Sequence, residues 1–326
     1  MASSGSTKLS FQKNVSLKPF TTLKAGGNAE LFAIAPAIDE LADICLSAQK
    51  DQREITIIGS GSNVLPSDAG VLGLVVLNQA HLIELEPSGI ICADSGCGFQ
   101  DLFLKTAQHG LRGLEFAVGI PGTLGGALVS NAGAYRSCVS EFLTAVEVVF
   151  EGERRWVEPS FMEFSYRDSI LRRQHPPQCT LLRVKMKLPK GEPKKIYDEA
   201  REYQRQRISK QPAPASAGSF FKNVNDRILA EGLDNLPRTL RVAGVVPAGY
   251  LIEKSGLIGF RLGGAMFARR HANFIINVVN ASAGDIRRLA MLAKKTVFDT
   301  FNVKLEEEVL YLGDWSKFER EVAEAE

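Results

Sequence analysis

The chain has 326 residues, of which 45% are hydrophobic and 23% are charged, and its formal net charge is +2. This length exceeds the ~150 residues of one typical domain, so we expect two domains. The near-neutral charge argues against a nucleic-acid-binding protein, and no apolar run approaches the ~20 residues that span a bilayer. The five cysteines contain no CxxC pair and the four histidines are scattered, so neither a disulfide framework nor a metal site is expected. We therefore expect a reduced, cytoplasmic protein.

The N-terminal segment 1–19 is predicted to be flexible. It is rich in serine and threonine but resembles a targeting peptide only weakly, because it lacks an apolar signal core and contains no arginine. A disordered tail is the favoured interpretation. The apolar stretch Ala29–Pro36 follows, and Pro36 opens a helix whose apolar residues recur at helical spacing. The predicted buried face of this helix consists of Ile38, Leu41, Ala42 and Cys45.

A strand at Glu54–Ile58 leads directly into the glycine–serine loop Gly59–Asn63, with the sequence GSGSN. A strand followed by such a loop suggests a dinucleotide-binding Rossmann fold, but we reject this interpretation. The third glycine of that motif would fall at Val64, and Pro66 follows where the phosphate-binding helix should begin. The loop can still hold a pyrophosphate, because free backbone N–H groups and small hydroxyls form an anion-binding nest.

The elements that follow indicate an α+β unit rather than a repeated βαβ pattern. A helix from Phe99 to His109 ends at Gly110, a common C-terminal stop. The predicted strands are Val71–Leu77, Leu82–Glu86, Ile90–Ala93, Thr144–Phe150, Arg154–Val157 and Thr180–Leu188. The segment Pro189–Pro193 is the predicted domain edge.

A glycine-rich stretch, residues 114–141, lies between these strands. Because glycine has no Cβ, it adopts positive φ without strain and lets a ligand approach the backbone closely. The apolar neighbours predict that this stretch is a buried wall of loops and turns against something large and flat. The alternative is a tight loop between two core elements. Five glycines fall within fifteen residues, and they are Gly119, Gly122, Gly125, Gly126 and Gly133.

The second part of the chain begins with a polar helix at Lys194–Ser209. The chain then breaks at the proline-rich segment Gln211–Ser219, which fits neither a helix nor a central strand. The charged tail 315–326 is predicted to fray. The later predicted elements are Leu251–Lys254, Asn273–Val279, a helix at Asp285–Phe301 and a strand at Val303–Leu312.

Three further stretches carry candidate chemistry. In SYRDS, Arg167 offers a fork of donors that suits a carboxylate or an enolate, although a surface salt bridge with Asp168 is the simpler alternative. In AGSFFKN, Ser219 follows a glycine turn, and the alternative is a turn capped by its own serine. In KLEEEV, strand alternation would put Glu306 and Glu308 on one face, and a solvated edge strand is the alternative. Nothing local separates these two glutamates.

Taken together, these stretches resemble the family of UDP-N-acetylenolpyruvoylglucosamine reductases. The motifs occur in the family's order and extend from about residue 20 to residue 313. Small departures are Arg136 in place of a glycine, and Val224 and Glu307 in place of prolines. The short interval from Arg167 to Ser219 resembles the family's second type, which lacks an added substrate-capping segment. The matching motifs are GSGSN at 59–63, GLEFAVGIPGTLGGALVSNAGAY at 113–135, SYRDS at 165–169, AGSFFKN at 217–223, HANFIIN at 271–277 and LEEEV at 305–309.

The resemblance implies an FAD-containing, NADP-dependent oxidoreductase of peptidoglycan precursor synthesis. The implied fold is α+β, with an FAD-binding domain of the vanillyl-alcohol-oxidase type at 20–190, made of two subdomains, and a smaller substrate-binding domain at 191–314. The reaction would convert UDP-N-acetylglucosamine enolpyruvate to UDP-N-acetylmuramate, with hydride passing from NADPH through non-covalent FAD to C3 of the enolpyruvyl group. We expect a monomer that binds NADPH and the UDP-sugar, with no nucleic acid and no membrane span.

The family's motifs also imply residue roles. Arg167 and Glu308 would stabilise the enolate, Glu308 being kept protonated by burial. Ser219 would donate the proton to C2, assisted by Lys222 or a water chain. Substrate contacts are implied at Tyr166, Lys210, Lys222 and Asn223, and no metal is expected. FAD contacts are implied at Gly59, Ser60, Gly61, Ser62, Asn63, Gly119, Ile120, Pro121, Gly122, Thr123, Gly125, Gly126, Asn131, Gly133, Ala134, Tyr135 and Arg207.

Two other functions stay open on the sequence alone. One is a flavin oxidase of the same FAD fold that uses oxygen and a different substrate. No histidine or cysteine that would tether the flavin is evident in the glycine-rich stretch, which disfavours this alternative. The other is a non-catalytic protein that binds a flavin or a nucleotide sugar, and the presence of all three candidate catalytic stretches disfavours it.

Overall fold

The computed structural model describes residues 11–212 and 214–324. Contacts between Cα atoms divide these residues into two compact units. Unit 1 contains the described residues up to Ser16, then Asn28–Gly59 and Gly70–Arg201, and unit 2 contains Leu17–Gly27, Ser60–Ala69 and the described chain from Glu202. This division differs from the predicted continuous domains 20–190 and 191–314 in two respects. The boundary falls between Arg201 and Glu202 rather than at Pro189–Pro193, and unit 2 takes two short segments from the first half of the chain.

Helices and strands alternate irregularly along the chain, as the predicted α+β class requires. The β-strands are, in chain order, β1 (Gln12–Ser16), β2 (Asn28–Ala35), β3 (Ile55–Ile58), β4 (Val64–Pro66), β5 (Val71–Asn78), β6 (Ile83–Leu85), β7 (Ile90–Asp94), β8 (Gly133–Ala134), β9 (Ser137–Cys138), β10 (Leu143–Phe150), β11 (Glu153–Val157), β12 (Cys179–Lys187), β13 (Val224–Asn225), β14 (Val245–Val246), β15 (Arg261–Leu262), β16 (Ala265–Phe267), β17 (Ile275–Asn277) and β18 (Leu310–Leu312). The α-helices are α1 (Ile38–Lys50), α2 (Phe99–Gln108), α3 (Leu124–Val129), α4 (Pro193–Lys210), α5 (Arg227–Gly232), α6 (Arg238–Ala243), α7 (Ala248–Lys254), α8 (Ala283–Phe301) and α9 (Ser316–Ala323).

Unit 1 contains two sheets that share a core with α1. The first has the order β1-β2-β5-β3, with β2, β5 and β3 parallel, and the second has the antiparallel order β11-β10-β12-β7-β6. The four predicted apolar residues of α1 are buried, which confirms this helix and its face. Their core includes Val76 from the first sheet and Val149 and Leu182 from the second. The strand β3 is followed by a loop and β4, and the rejection of a Rossmann helix at this place is confirmed.

The predicted flexible N-terminal segment needs a correction in its second half. Residues 1–10 lie outside the described residues, but Gln12–Ser16 form β1, which pairs antiparallel with β2. Most side chains of β1 are exposed, so its residues gain backbone hydrogen bonds without burying an apolar face. A strand of this kind has no apolar alternation, and the sequence pattern therefore does not reveal it.

Unit 2 is built around α8, which packs on the antiparallel sheet β15-β16-β17. Its core includes Leu23 and Leu65, which come from the two segments of the first half of the chain. The second of these segments also forms β4, which pairs parallel with β18. The carboxylate of Asp68 accepts hydrogen bonds from the N–H groups of Ala283 and Gly284, at 2.9 Å and 2.8 Å, and so caps α8.

The C-terminal predictions were wrong in two places. The predicted strand Val303–Leu312 is a regular strand only at Leu310–Leu312, and the tail predicted to fray contains α9. Phe318 of α9 is buried, and the guanidinium of Arg287 lies 4.5 Å from the ring centroid of Trp315 and 5.0 Å from that of Phe318. This aromatic and cationic packing anchors the helix despite its charged sequence. None of the helices in the described part of the chain has the length and apolar character needed to cross a membrane.

Candidate functional site

Two of the sequence-predicted FAD-binding stretches meet within unit 1. Gly59 directly follows β3, and a Cβ atom at this position would collide with the Oγ1 atom of Thr123. Thr123 is the N-cap of α3, and its Oγ1 accepts a hydrogen bond from the N–H of Gly126 at 3.3 Å. Glycine at position 59 therefore allows the end of β3 to pack against the first turn of the glycine-rich stretch.

The glycine-rich stretch is not made of loops and turns alone, because Leu124–Val129 form α3. This helix lies on a supporting loop that the sequence interpretation did not single out, residues 95–98. The N–H of Gly125 donates to the carbonyl oxygen of Ser95 at 2.7 Å, and that of Leu124 donates to Cys97 at 2.9 Å. A Cβ atom at Gly125 would lie 3.0 Å from Ser95. The glycine at 125 itself was the only local sequence signal for this close packing, because the residues of the supporting loop carry none.

The exposed edge of α3 fits a flat ligand that approaches the backbone. Gly125 is buried by the protein, but Gly126 is exposed, and a Cβ atom there would meet only the Oγ1 atom of Thr123, at 3.5 Å. Protein packing therefore explains the glycine at 125 but not the one at 126. A backbone bared in this way is what a bound pyrophosphate or ring system requires, so these residues fit FAD.

A tight hairpin closes the glycine-rich stretch. Strands β8 and β9 pair antiparallel, and the two residues between them, Tyr135 and Arg136, have φ angles of 54° and 67°. Two consecutive positive φ angles are typical of a type I′ turn, which favours glycine or asparagine. Arg136 therefore keeps a left-handed conformation without being glycine. Gly133 is buried in the same hairpin, while Tyr135 is exposed.

Arg167 lies in a second tight turn of unit 1. Ser165 and Asp168 exchange backbone hydrogen bonds of 3.2 Å and 3.3 Å, and Arg167 at the third position has φ 55°. Its guanidinium donates to the carbonyl oxygens of Asn131, at 3.4 Å, and Gly133. The guanidinium carbon is 5.4 Å from the ring centroid of the half-exposed Tyr166. The structure thus brings the predicted catalytic arginine onto the predicted FAD-binding stretch.

The remaining part of the GSGSN loop belongs to unit 2. Gly61 has φ 61°, and its carbonyl oxygen accepts a hydrogen bond from the N–H of Thr22 at 3.1 Å. The side-chain amide of Asn63 donates to the carbonyl oxygen of Glu308 at 3.0 Å, and its own carbonyl accepts from Leu310 at 3.0 Å. The predicted FAD motif is therefore bonded directly to the predicted catalytic glutamate.

Ser219 lies in a turn whose two ends are fixed by backbone pairing in unit 2. On one side, the N–H of Asn277 donates to the carbonyl oxygen of Ala215 at 2.9 Å. On the other side, the N–H of Glu308 donates to Phe220 at 2.8 Å, and Phe221 faces Glu307 in an antiparallel bridge. These contacts define an extended pair, residues 220–222 against residues 306–308, which we call the glutamate ladder.

Asn273 holds the glutamate ladder from its other side. It is 2% exposed, its Oδ1 accepts from the N–H of Phe221 at 3.0 Å, and its Nδ2 donates to the carbonyl oxygen of Phe221 at 2.9 Å. Its own carbonyl accepts from Phe220 at 2.7 Å. The sequence interpretation gave Asn273 no role, although it lies in the HANFIIN motif, because nothing local indicates that this asparagine pairs with a segment fifty residues earlier.

Three of the predicted substrate contacts, Lys222, Asn223 and Lys210, lie at different places in unit 2. The ammonium group of Lys222 pairs with the carboxylate of the exposed Glu306, and the Oδ1 of Asn223 accepts from the N–H of Ala248 at 3.2 Å. Lys210 is exposed at the end of α4. Burial lowers the pKa of His271 below its usual value, and the positive charge of Lys210 acts in the same direction. The residues next to them are in contact, since the Nε of Arg270 donates to the carbonyl oxygen of Ser209 at 3.1 Å, so Lys210 and His271 lie in one region of unit 2.

Arg207, a predicted FAD contact, lies on α4 and is half-buried. Its carbonyl oxygen accepts a hydrogen bond from the N–H of Gln211 at 2.8 Å, beyond the end of the helix. The predicted polar helix Lys194–Ser209 corresponds to α4, and its apolar residues Ile196 and Ala200 are buried. The last predicted FAD contact is therefore ordered by α4 rather than by the glycine-rich loops.

Family models match both parts of the chain. The model of an FAD binding domain matches residues 29–157, and the model of the C-terminal domain of UDP-N-acetylenolpyruvoylglucosamine reductase matches residues 209–312. A reductase of that name from Prochlorococcus marinus is 37% identical over 94% of this chain and 99% of its own length. The chain belongs to this reductase family. The predicted family, the fold class and the FAD cofactor are confirmed.

Other members of the reductase family agree with this assignment. The reductase from Bacillus subtilis is 35% identical over 92% of this chain and 93% of its own length. The crystal structure of UDP-N-acetylenolpyruvylglucosamine reductase from Thermus caldophilus matches with a TM-score of 0.74 and 30% identity. The match covers 93% of this chain and 99% of that protein. The likeness therefore extends over nearly the whole length of each relative.

Two departures from the reductase motifs have local explanations. Glu307 stands where the predicted motif has proline, and its carboxylate accepts hydrogen bonds from the ammonium group of Lys294 at 2.9 Å and 3.0 Å. Val224 stands where the motif has another proline, and it pairs with Val246 between β13 and β14. Both replacements are accommodated within unit 2 and leave the glutamate ladder in place.

Proposed function

We propose that this member of the reductase family reduces UDP-N-acetylglucosamine enolpyruvate to UDP-N-acetylmuramate in peptidoglycan precursor synthesis, with NADPH as hydride donor. One observation carries the proposal. The main chain of Glu308 is bonded on one side to Asn63 of the predicted FAD motif and on the other to Phe220, the residue after Ser219. The backbone segments that carry the cofactor loop, the carboxylic acid and the hydroxyl are thereby joined by hydrogen bonds.

FAD, when bound, supplies the redox chemistry that links a nicotinamide to the enolpyruvyl group. The residues that would hold it in unit 1 are Gly59 and the segment Gly119–Gly126, of which Pro121 and Gly126 are exposed. The residues that would hold it in unit 2 are those of the Ser60–Asn63 loop. The left-handed Gly61 keeps the N–H groups of this loop in a turn conformation that suits an anion.

Three side chains would act on the enolpyruvyl group. Arg167 offers a forked, permanently charged donor, which suits the carboxylate into which negative charge spreads from C2. Glu308, as the neutral acid, would donate a hydrogen bond to the same developing charge. The Ser219 hydroxyl would deliver its proton to C2 as the general acid. The left-handed Gly218, with φ 80°, sets the turn that carries Ser219.

The diphosphate of the substrate requires cations, and unit 2 offers Lys210 beside His271. Since His271 is kept neutral, it would act as a hydrogen-bond donor or acceptor rather than as a second charge. Lys222 is already paired with Glu306, so its role would be to hold the glutamate ladder and to present a donor to the substrate together with Asn223.

The proposal includes a cytoplasmic location and a monomeric state. All five cysteines are free thiols, and burial raises the pKa of Cys45 to about 11 and that of Cys179 to about 12. Thiols of this kind are inert and fit a reducing compartment. Gel filtration of the purified protein would test the monomeric state, and elution at the position of a dimer would contradict it.

A product assay tests the proposed reaction. The purified protein is incubated with NADPH and UDP-N-acetylglucosamine enolpyruvate, and NADPH oxidation is compared with the mass of the UDP-sugar. We expect equal amounts of NADPH oxidised and of UDP-N-acetylmuramate formed, heavier than the substrate by a pair of hydrogens. Oxidation of NADPH without the UDP-sugar, accompanied by oxygen consumption, would indicate a flavin oxidase instead. A colourless protein would indicate a binding function.

A further inference from the structure

Asn131 was assigned to FAD binding on the resemblance, but its polar groups are engaged within unit 1. The residue is 6% exposed and has φ 42°. Its Nδ2 donates to the carbonyl oxygen of Ser165 at 2.9 Å, and its Oδ1 accepts from the N–H of Ser140 at 3.4 Å. Its own N–H donates to Leu128 at 3.0 Å. The side chain is thus committed to protein groups on two other segments.

Asn131 contacts two residues of the turn formed by residues 165–168. Ser165 opens the turn that carries Arg167, and its carbonyl oxygen accepts both the N–H of Asp168 and the amide of Asn131. The carbonyl oxygen of Asn131 accepts the Nη1 of Arg167 at 3.4 Å. Asn131 therefore holds the turn of Arg167 by its side chain and the guanidinium of Arg167 by its main chain.

The turn needs such support because arginine disfavours the backbone conformation that Arg167 adopts in it. Its φ of 55° lies in the left-handed region, which is unfavourable for a residue other than glycine because its Cβ crowds the following carbonyl oxygen. A strained residue persists when its surroundings fix it, and strain of this kind is concentrated at functional positions. Two hydrogen bonds hold the arginine in a single arrangement. Asn131 donates to Ser165, the first residue of the turn, and the guanidinium of Arg167 donates to the carbonyl oxygen of Asn131.

We infer that Asn131 is a positioning residue for Arg167 rather than an FAD contact. This inference rests on the proposed function, in which the Arg167 guanidinium meets the substrate carboxylate. Displacement of a reacting or stabilising group by about 1 Å can lower a rate by about 10²-fold. Loss of the Asn131 amide should therefore weaken the step that involves the enolpyruvyl group while leaving the cofactor in place.

Two substitutions separate the side chain from the backbone conformation of Asn131. Asn131→Gly keeps the left-handed φ without strain and removes the amide, whereas Asn131→Asp keeps the shape and the acceptor for Ser140 but replaces the donor to Ser165. We expect both variants to retain FAD and its reduction by NADPH, and to slow flavin reoxidation by the enolpyruvyl substrate about 10- to 100-fold. Ser140→Ala, which keeps its backbone donor, is the control and should match the parent.

A double-mutant cycle distinguishes positioning from a general structural role. If Asn131 acts through Arg167, Asn131→Gly should have no further effect on reoxidation in an Arg167→Ala background. Additive losses, or loss of FAD from Asn131→Asp, would overturn the inference.

A second readout does not depend on the reaction. Hydrogen exchange at the Asp168 amide should become about tenfold faster in Asn131→Asp, because the turn loses the side-chain hydrogen bond that holds it and the new carboxylate repels the Ser165 carbonyl oxygen. Unchanged exchange would overturn the inference. Failure of the parent protein to reduce the enolpyruvyl substrate would instead reject the proposed function alone, because the exchange rate does not depend on the reaction.

Discussion

Four non-glycine residues at the candidate site of unit 1 lie on backbone in left-handed conformations, whereas Ser219 and Glu308 of unit 2 lie in or beside paired, extended segments. In unit 1, Asn131, Tyr135, Arg136 and Arg167 all have positive φ, and their positions depend on tight turns and on carbonyl oxygens that accept the arginine. In unit 2, the residues next to Ser219 and Glu308 are fixed by the glutamate ladder. The first arrangement is sensitive to backbone strain, and the second is sensitive to loss of hydrogen-bond partners.

The largest expected effect comes from the hydroxyl in unit 2. Ser219→Ala should leave reduction of FAD by NADPH close to the parent rate and slow the reaction of the enolpyruvyl substrate about 10²- to 10⁴-fold, since the proposed general acid is removed. Stopped-flow measurement of both half-reactions would show the contrast. Equal losses in the two half-reactions would mean that Ser219 supports the fold of the ladder rather than the chemistry.

Substitutions of the three neighbouring glutamates test which of them acts on the enolpyruvyl group. Glu308→Gln should slow flavin reoxidation about 10²-fold, because the acid proposed to stabilise the developing charge is replaced by an amide. Glu307→Gln is the matched control, since Glu307 pairs with Lys294. Glu306→Gln should preserve the rate at saturating substrate and raise KM through its partner Lys222. A parent-like rate in Glu308→Gln, or a collapse in Glu307→Gln, would show that the wrong glutamate was chosen.

The sequence predicted the elements of unit 1 well where local apolar spacing determines them, as in α1. It did not predict the left-handed φ of Arg136 or Arg167, because an arginine carries no signal for such a turn. It also did not predict that Leu17–Gly27 and Ser60–Ala69 belong to unit 2, since that assignment depends on contacts with residues about 200 positions later.

Around Glu308, the predicted alternation is observed only in part, because Glu307 and Glu308 are both half-buried, and the predicted regular strand is not formed. Leu305 and Val309 are buried while Glu306 is exposed, as the alternation requires. The segment nevertheless pairs with residues 220–222 only through scattered backbone contacts and one isolated bridge, so it is not a regular strand before Leu310. The role of Asn273 in that pairing has no sequence signal beyond the motif that contains it.

Removal of the Asn273 side chain should destabilise the glutamate ladder of unit 2. Asn273→Ala leaves the buried N–H and carbonyl of Phe221 without their partners, and each unsatisfied buried group costs about 1–3 kcal/mol. We expect a loss of about 3 kcal/mol in the free energy of unfolding, measured by urea denaturation. Asn277→Ala, which removes a different side-chain amide of the same motif, is the comparison. A loss below that of Asn277→Ala would show that the ladder does not depend on Asn273.

The two neighbouring glycines of α3 test the fit of FAD in unit 1. Gly126→Ala should leave the thermal stability of the cofactor-free protein unchanged or raised, since alanine favours a helix by up to about 1 kcal/mol, yet weaken FAD binding about tenfold. Gly125→Ala should instead lower the stability of the cofactor-free protein, because its Cβ would crowd Ser95. Unchanged FAD affinity in Gly126→Ala, measured by fluorescence titration, would remove this residue from the proposed cradle.

The smallest effect is expected from relief of strain in the hairpin of unit 1. Arg136→Gly replaces a left-handed arginine, with φ 67°, by the residue that the turn favours, and should raise the free energy of unfolding by about 1 kcal/mol. Urea denaturation would measure the gain. Arg155→Gly, in the regular strand β11, should lower stability and is the opposite control. A destabilised Arg136→Gly would show that the arginine side chain contributes more than its backbone strain costs.

The account depends most directly on whether bound flavin passes hydride to the enolpyruvyl sugar. The decisive measurement is an anaerobic absorbance experiment with the purified, yellow parent protein. NADPH is added first and should bleach the flavin, and UDP-N-acetylglucosamine enolpyruvate is then added in a single turnover. The account predicts that the oxidised flavin spectrum returns at a rate that rises with substrate concentration and then saturates. A flavin that stays bleached after addition of this substrate, and regains its colour only when oxygen is admitted, would contradict the account.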